Sequence, residues 1–145
     1  MRNRSGIILI QSNHIALIKR MKKSQTYYVI PGGGIEDVET PEEAARREAK
    51  EELGVNVMLK GLLHTENWNG MQYYFLAEII DGKFGNGSGA EMNGKNEAEG
   101  KYIPMWVNVT ELTELPLRPK SIIDKILSLP ERKLCKGQAL AQDES

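Results

Sequence analysis

The chain has 145 residues, 40% hydrophobic and 27% charged, the composition of one ordinary folded domain. Its longest aliphatic run near the N-terminus, Ile7-Ile8-Leu9-Ile10, is too short for a signal segment or a membrane span, and a single cysteine, Cys135, excludes an internal disulfide and fits a reducing cytoplasm. A pI near 6.2 argues against a nucleic-acid binder, yet the net charge of −1 hides a split: residues 1–30 carry six Lys/Arg and no Asp/Glu. Such a split marks either a site that handles an anion with the help of a cation or the chance decoration of solvated faces.

Ser5 to Gln11 and His14 to Arg20 are aliphatic, β-branched runs separated by Ser12-Asn13, which predicts a hairpin. Tyr27 to Ile30 is a third short strand, stopped by Pro31 and three glycines. A helix is predicted from Pro41 to Leu53, with Thr40 as N-cap, Glu43 completing a capping box, and Gly54 as the stop. Glu42/Arg46, Glu43/Arg47 and Arg47/Glu51 are i,i+4 pairs, and the narrow stripe Ala45, Ala49, Leu53 predicts close packing on a sheet. Val55 to Leu63, Met71 to Ile80 and Lys101 to Val109 read as strands, and residues 82–100, with six glycines, as a long mobile loop. Pro119 opens a second amphipathic helix bearing Ile122, Ile123, Ile126 and Leu127. With no internal repeat or linker, residues 1–130 form a single domain and residues 131–145 a polar tail that frays.

The chemistry concentrates in the segment PGGGIEDVETPEEAARREAKEELGV, which starts at Pro31. Three glycines after a strand let a ligand or metal approach main-chain atoms. On the helix that follows, Glu48, Glu51 and Glu52 stand at i, i+3 and i+4, on one face spanning roughly 100°. Three carboxylates so close oppose each other's ionisation, which is costly unless a cation or a basic side chain occupies the face. Helical spacing points Arg47 about 100° away from Glu48 and puts Lys50 on the other side, which leaves the face short of basic partners. It is therefore either a solvated Glu-rich surface or a site of hard oxygen ligands for Mg²⁺ or Mn²⁺.

The segment from Gly33 to Val55 resembles the signature box of the Nudix hydrolases, written GX5EX7REUXEEXGU. Its fixed positions are Gly33, Glu39, Arg47, Glu48, Ala49, Glu51, Glu52, Gly54 and Val55, all at the required spacing. Ala49 is smaller than the usual residue at its position, and Val38 stands where a glycine is frequent. The resemblance implies an α/β (α+β) fold, a mixed β-sheet between helices in an α/β/α sandwich. It also implies hydrolysis of a nucleoside diphosphate linked to another group, by attack of water at phosphorus with Mg²⁺ or Mn²⁺ as cofactor. Glu51 and Glu52 look like metal ligands, Glu48 a ligand or the general base, Arg47 the orienting partner of the glutamates, the Gly33 carbonyl a further ligand, and Glu39 a structural or outer-shell residue. In some relatives the base lies in a later loop, which makes Glu91, Glu97 and Glu99 candidates.

Arg20, with Lys19, is a candidate phosphate contact at the end of the second strand, and Tyr27, Tyr28, Tyr73, Phe75 and Trp106 are candidates to stack on a base. Tyr73 falls eighteen residues past Val55, where a tyrosine resembles a marker of dinucleoside polyphosphate hydrolases. No NADH-type SQPWPFP motif is present, nor the proline that marks ADP-ribose hydrolases. The expected substrate is a small nucleotide (a nucleoside triphosphate, a modified nucleotide or a dinucleoside polyphosphate), with no nucleic-acid or membrane partner and a homodimer as the common assembly of similar proteins. The rival is a catalytically silent nucleotide-binding or sensory module on the same fold; such modules often lose the glutamates, which are all present here.

Overall fold

The computed structural model describes residues 2–85 and 100–129. Among these residues eight strands form one mixed sheet: β1 (Arg4–Gln11), β2 (His14–Lys22), β3 (Gln25–Val29), β4 (Gly32–Gly34), β5 (Val55–Asn67), β6 (Met71–Gly82), β7 (Lys101–Asn108) and β8 (Leu117–Arg118). The helices among the described residues are α1 (Pro41–Leu53) and α2 (Ser121–Leu127), and a 3₁₀ helix spans Val109–Glu114.

The principal strand order is β5-β6-β1-β2-β3-β8, with β4 paired to β1 and β7 paired to β2. β1 is shared by two half-sheets. Residues from Arg4 to Leu9 run parallel to β6, while Arg4 to Gly6 also pair antiparallel with β4. The end of β1 turns into β2 at Ser12-Asn13, both with positive φ, as a tight hairpin requires. Alternation along the strands then sends side chains to two cores. Ile7, Leu9, Ala16, Ile18, Val55, Val57, Phe75 and Ala77 pack under Ala45, Ala49 and Leu53 of α1. On the other face Ile8, Ile15, Leu17 and Tyr74 pack with Leu112 of the 3₁₀ helix and Ile122 and Ile126 of α2. This is the expected mixed sheet between helices, and the alanine stripe lets α1 sit close over it.

α1 starts and stops at the predicted residues. Thr40 Oγ1 accepts from the Glu43 N–H at 3.1 Å, the Glu43 carboxylate accepts from the Thr40 N–H at 2.9 Å, and Gly54 closes the helix at φ 79°. Elsewhere the boundaries move. β5 extends to Asn67 and β6 to Gly82, so the predicted loop does not begin at residue 82; the main chain of Gly82 packs against Gly54 and Val55, where a side chain would clash. α2 begins at Ser121 and not at Pro119, whose carbonyl instead accepts the first bond, from the Ile122 N–H at 3.3 Å. Three elements are additional to the predicted ones: β4, β8 and the 3₁₀ helix. Residues 86–99, which include most of the predicted loop, and the predicted tail with Cys135 lie outside the described residues.

Candidate active site

β3 runs through Pro31 into β4, and this short glycine strand faces one flank of α1. The close approach depends on missing side chains. A Cβ on Gly32 would strike the Ser5 carbonyl and the Gly6 Cα, and one on Gly33 would fall inside contact distance of all three carboxyl atoms of Glu48. The Gly32 N–H donates to Glu52 Oε1 at 2.8 Å, fixing the second buried glutamate to the same strand.

Arg47 ties the remaining carboxylates together. Its Nε and Nη2 donate to the two oxygens of Glu39 at 2.6 and 2.9 Å, and Nη1 donates to Glu48 Oε2 at 2.9 Å and Glu51 Oε1 at 3.3 Å. Nη2 also donates to the Gly34 carbonyl at 2.9 Å. This corrects the expectation that the face is short of basic partners: the Arg47 Cβ does diverge from that of Glu48, but the long side chain bends back and its planar fork serves three carboxylates. Of the expected i,i+4 pairs, Arg47/Glu51 forms an ion pair, whereas the Glu43 carboxylate is used in the capping box.

The electrostatics follow from this network. The Arg47 guanidinium and the Glu36 N–H hold the Glu39 carboxyl down to about 2, and Glu39 in turn raises the already high affinity of Arg47 for its proton. Burial pushes Glu48 up, against the opposing pull of Arg47. Because the folded Glu39 loses its proton more readily than the unfolded residue, whose value is near 4.5, its contribution to stability is full above 4.5 and lost as the pH falls toward 2. Glu39→Gln is expected to flatten that limb of an acid-unfolding profile followed by circular dichroism.

Among the described residues, no group of three His, Cys, Asp or Glu side chains stands ready as a metal cage. The donor chemistry nevertheless fits a hard divalent cation. Glu48, Glu51 and Glu52 offer carboxylate oxygens, and the absent Cβ of Gly33 leaves a cradle in which main chain and carboxylate meet. Gly33→Ala is expected to displace Glu48 and lower turnover by roughly 10²-fold, with only a small fall in Tm; steady-state kinetics beside thermal melts check this.

The remaining candidates lie apart from the glutamates. Tyr73 lines a groove of about 450 Å³ with Pro41, Glu42, Arg46, Leu59 and Phe75, on the opposite flank of α1 from Glu48 and Glu51. Arg20 lies on the face of β2 turned toward the α1 side, its guanidinium carbon 3.9 Å from the centre of the Tyr102 ring. Phe75 packs beneath α1, Tyr28 packs in the other core, and Trp106 stacks on Phe84 with centroids 4.6 Å apart. His64 bonds Glu66 at 3.1 Å, and Glu66 also accepts from the Ser121 hydroxyl, a tie between β5 and α2. Glu91, Glu97 and Glu99 lie outside the described residues. Beyond the glycine run itself no local signal marks the Gly32 and Gly34 main-chain contacts, and none marks Arg118, whose guanidinium carbon lies over the Tyr27 ring.

A mixed sheet between helices, with a glycine strand and a glutamate-bearing helix locked by one arginine, defines the Nudix class. The NUDIX domain profile matches residues 1–126, and the chain belongs to this family. It is similar to an 8-oxo-dGTP diphosphatase of Proteus vulgaris, 40% identical over 63 residues, 42% of this chain and 56% of that protein. It is also similar to an RNA pyrophosphohydrolase of Wolbachia pipientis wMel, 37% identical over 75 residues, 52% of this chain and 44% of that protein. The matched region thus spans about half the length of these curated relatives. Among solved structures, a NUDIX hydrolase from Nitrosomonas europaea shares the fold with a TM-score of 0.69 and 17% identity, over 87% of this chain and 86% of that one.

Proposed function

We propose that the chain is a Mg²⁺- or Mn²⁺-dependent pyrophosphohydrolase that cleaves the diphosphate linkage of a nucleoside diphosphate joined to another group. The carrying observation is the α1 glutamate face, with Glu48 and Glu52 fixed against the glycine strand and Glu48 and Glu51 fixed to Arg47. The diphosphatase and pyrophosphohydrolase names of the two relatives support the same reaction class.

Glu48, Glu51, Glu52 and the Gly33 carbonyl would hold the cation. When bound, it supplies neutralisation of phosphate oxygens and a lowered pKa for water. The chain's own residues do the positioning, on which phosphoryl transfer mostly depends. Arg47 keeps the glutamates in register, and Glu39 keeps Arg47 in place. Burial raises the proton affinity of Glu48, which suits a carboxylate that takes a proton from attacking water; Glu91, Glu97 and Glu99 are the alternative bases. No helix among the described residues is long and apolar enough to cross a membrane. The single cysteine suits a cytoplasmic setting, and a homodimer is the assembly in keeping with the family.

A panel of nucleoside triphosphates, 8-oxo-dGTP, dinucleoside polyphosphates, ADP-ribose and nucleotide sugars, with Mg²⁺ or Mn²⁺, tests the proposal through phosphate and pyrophosphate release. Turnover that needs the metal is expected for at least one class. Saturable binding without turnover across the panel would leave a silent binding module in its place.

A further inference from the structure

We propose that Arg118, set over the Tyr27 ring, is a specificity-determining residue that grips a phosphate chain, so that the enzyme selects substrates whose linked group is itself phosphate. This rests on the reading of the chain as a nucleotide pyrophosphohydrolase. β8 runs parallel to β3 with Arg118 opposite Val29, and Val29 packs with the core under α1. Arg118 therefore rises on the α1 side of the sheet, its guanidinium carbon 3.8 Å from the centre of the Tyr27 ring. On the same face Arg20 is paired with Tyr27 across β2–β3 and with Tyr102 across β2–β7, and it lies 5.7 and 3.9 Å from those two rings. The order Arg118–Tyr27–Arg20–Tyr102 alternates guanidinium and phenol.

A cation held over an aromatic ring is attracted to the ring face without using its N–H donors, and a guanidinium can meet a phosphate with two parallel bonds. The strands that carry the stack are basic. β2, β3, β7 and β8 contain no Asp or Glu, and alternation puts Lys22 on the same face as Arg20 and Arg118. The chain links the two places directly: Val29, opposite Arg118, precedes by three residues Gly32, which holds Glu52, about 10 Å of extended chain between Val29 and Gly32. A substrate lying from the glutamate face toward Arg118 meets counter-charge there only if its linked group is anionic. A nucleoside triphosphate or dinucleoside polyphosphate satisfies this; a nucleotide sugar does not.

The test compares Arg118→Gln with the unaltered protein on a nucleoside triphosphate and on a nucleotide sugar. The expected result is a loss of about tenfold or more in kcat/KM on the triphosphate, carried by KM, with the nucleotide sugar unaffected. Tyr27→Leu should raise KM on the triphosphate toward the Arg118→Gln value, and Tyr27→Phe, which keeps a ring under the guanidinium, should raise it less, which separates positioning by the ring from a role of the hydroxyl. Independently of turnover, calorimetric titration with inorganic tripolyphosphate in the absence of metal should show salt-sensitive binding, about tenfold weaker in Arg118→Gln. Equal tripolyphosphate affinity in the two proteins, or an equal loss on both substrates, would overturn the assignment. Arg118-dependent tripolyphosphate binding with no turnover of any nucleotide would overturn the catalytic reading and leave this one standing.

Discussion

Glu52→Gln is expected to remove metal-dependent turnover, by about two orders of magnitude or more, and to leave the fold standing. The two halves of this expectation have separate causes. Glu52 is buried and its Oε1 accepts the Gly32 N–H at 2.8 Å. A glutamine carbonyl can accept the same bond in nearly the same volume, so β4 stays against α1. What disappears is the negative charge and one oxygen donor, the two properties that a hard cation requires. Thermal melts within a few degrees of the unaltered protein, together with weakened Mn²⁺ binding by titration, are the expected signs. Unchanged turnover in Glu52→Gln would sink the metal-site assignment.

Arg47→Ala should damage stability and turnover together. Its guanidinium makes hydrogen bonds to Glu39, Glu48, Glu51 and the Gly34 carbonyl, and its removal leaves three carboxylates facing one another, one of them buried. Breaking such a partly buried network costs about 2–4 kcal/mol, a fall in Tm of roughly 5–15 °C for a domain of this size. Arg47→Lys should recover little, because an ammonium cannot reproduce the fork that grips both Glu39 oxygens at once. Denaturant unfolding and steady-state kinetics on both variants check this; a Lys variant close to the unaltered protein in both would show that charge alone, without the fork, holds the site.

The parts of this molecule that were legible in its sequence are those set by local rules. The Ser12-Asn13 hairpin, the capping box at Thr40 and the Gly54 stop each depend on a few adjacent residues, and each lies where those residues put it. The box spacing likewise put Glu48, Glu51 and Glu52 on one face of α1. What the sequence hid is set by distant neighbours. Three glycines have poor strand propensity, and Gly32 to Gly34 become β4 only because Arg4 to Gly6 offer a ladder that tolerates no side chain at Gly32. The two residues of β8 acquire strand geometry from Tyr28 and Val29. Arg47 could not be assigned to Glu48 from helical angle alone, since angle fixes where a side chain begins and not where its end reaches. Tyr73, placed by its offset from the box, faces the far flank of α1 because alternation on β6 puts it in line with Phe75.

The forked pairing of β1 has a consequence for how this fold can change. The glycine strand and β6 attach to its first residues, and the β2 hairpin, with β3, β7 and β8 beyond it, attaches to its last. The glutamate-bearing helix with its glycine strand, and the strands that carry Arg20 and Arg118, are thereby distinct subassemblies that both attach to one eight-residue strand. On the proposed role of Arg118, substitutions in the outer strands would retune ligand preference without touching the glutamates. Gly32 and Gly33 have less latitude, because a Cβ on Gly32 meets the Ser5 and Gly6 main chain and one on Gly33 meets the Glu48 carboxyl.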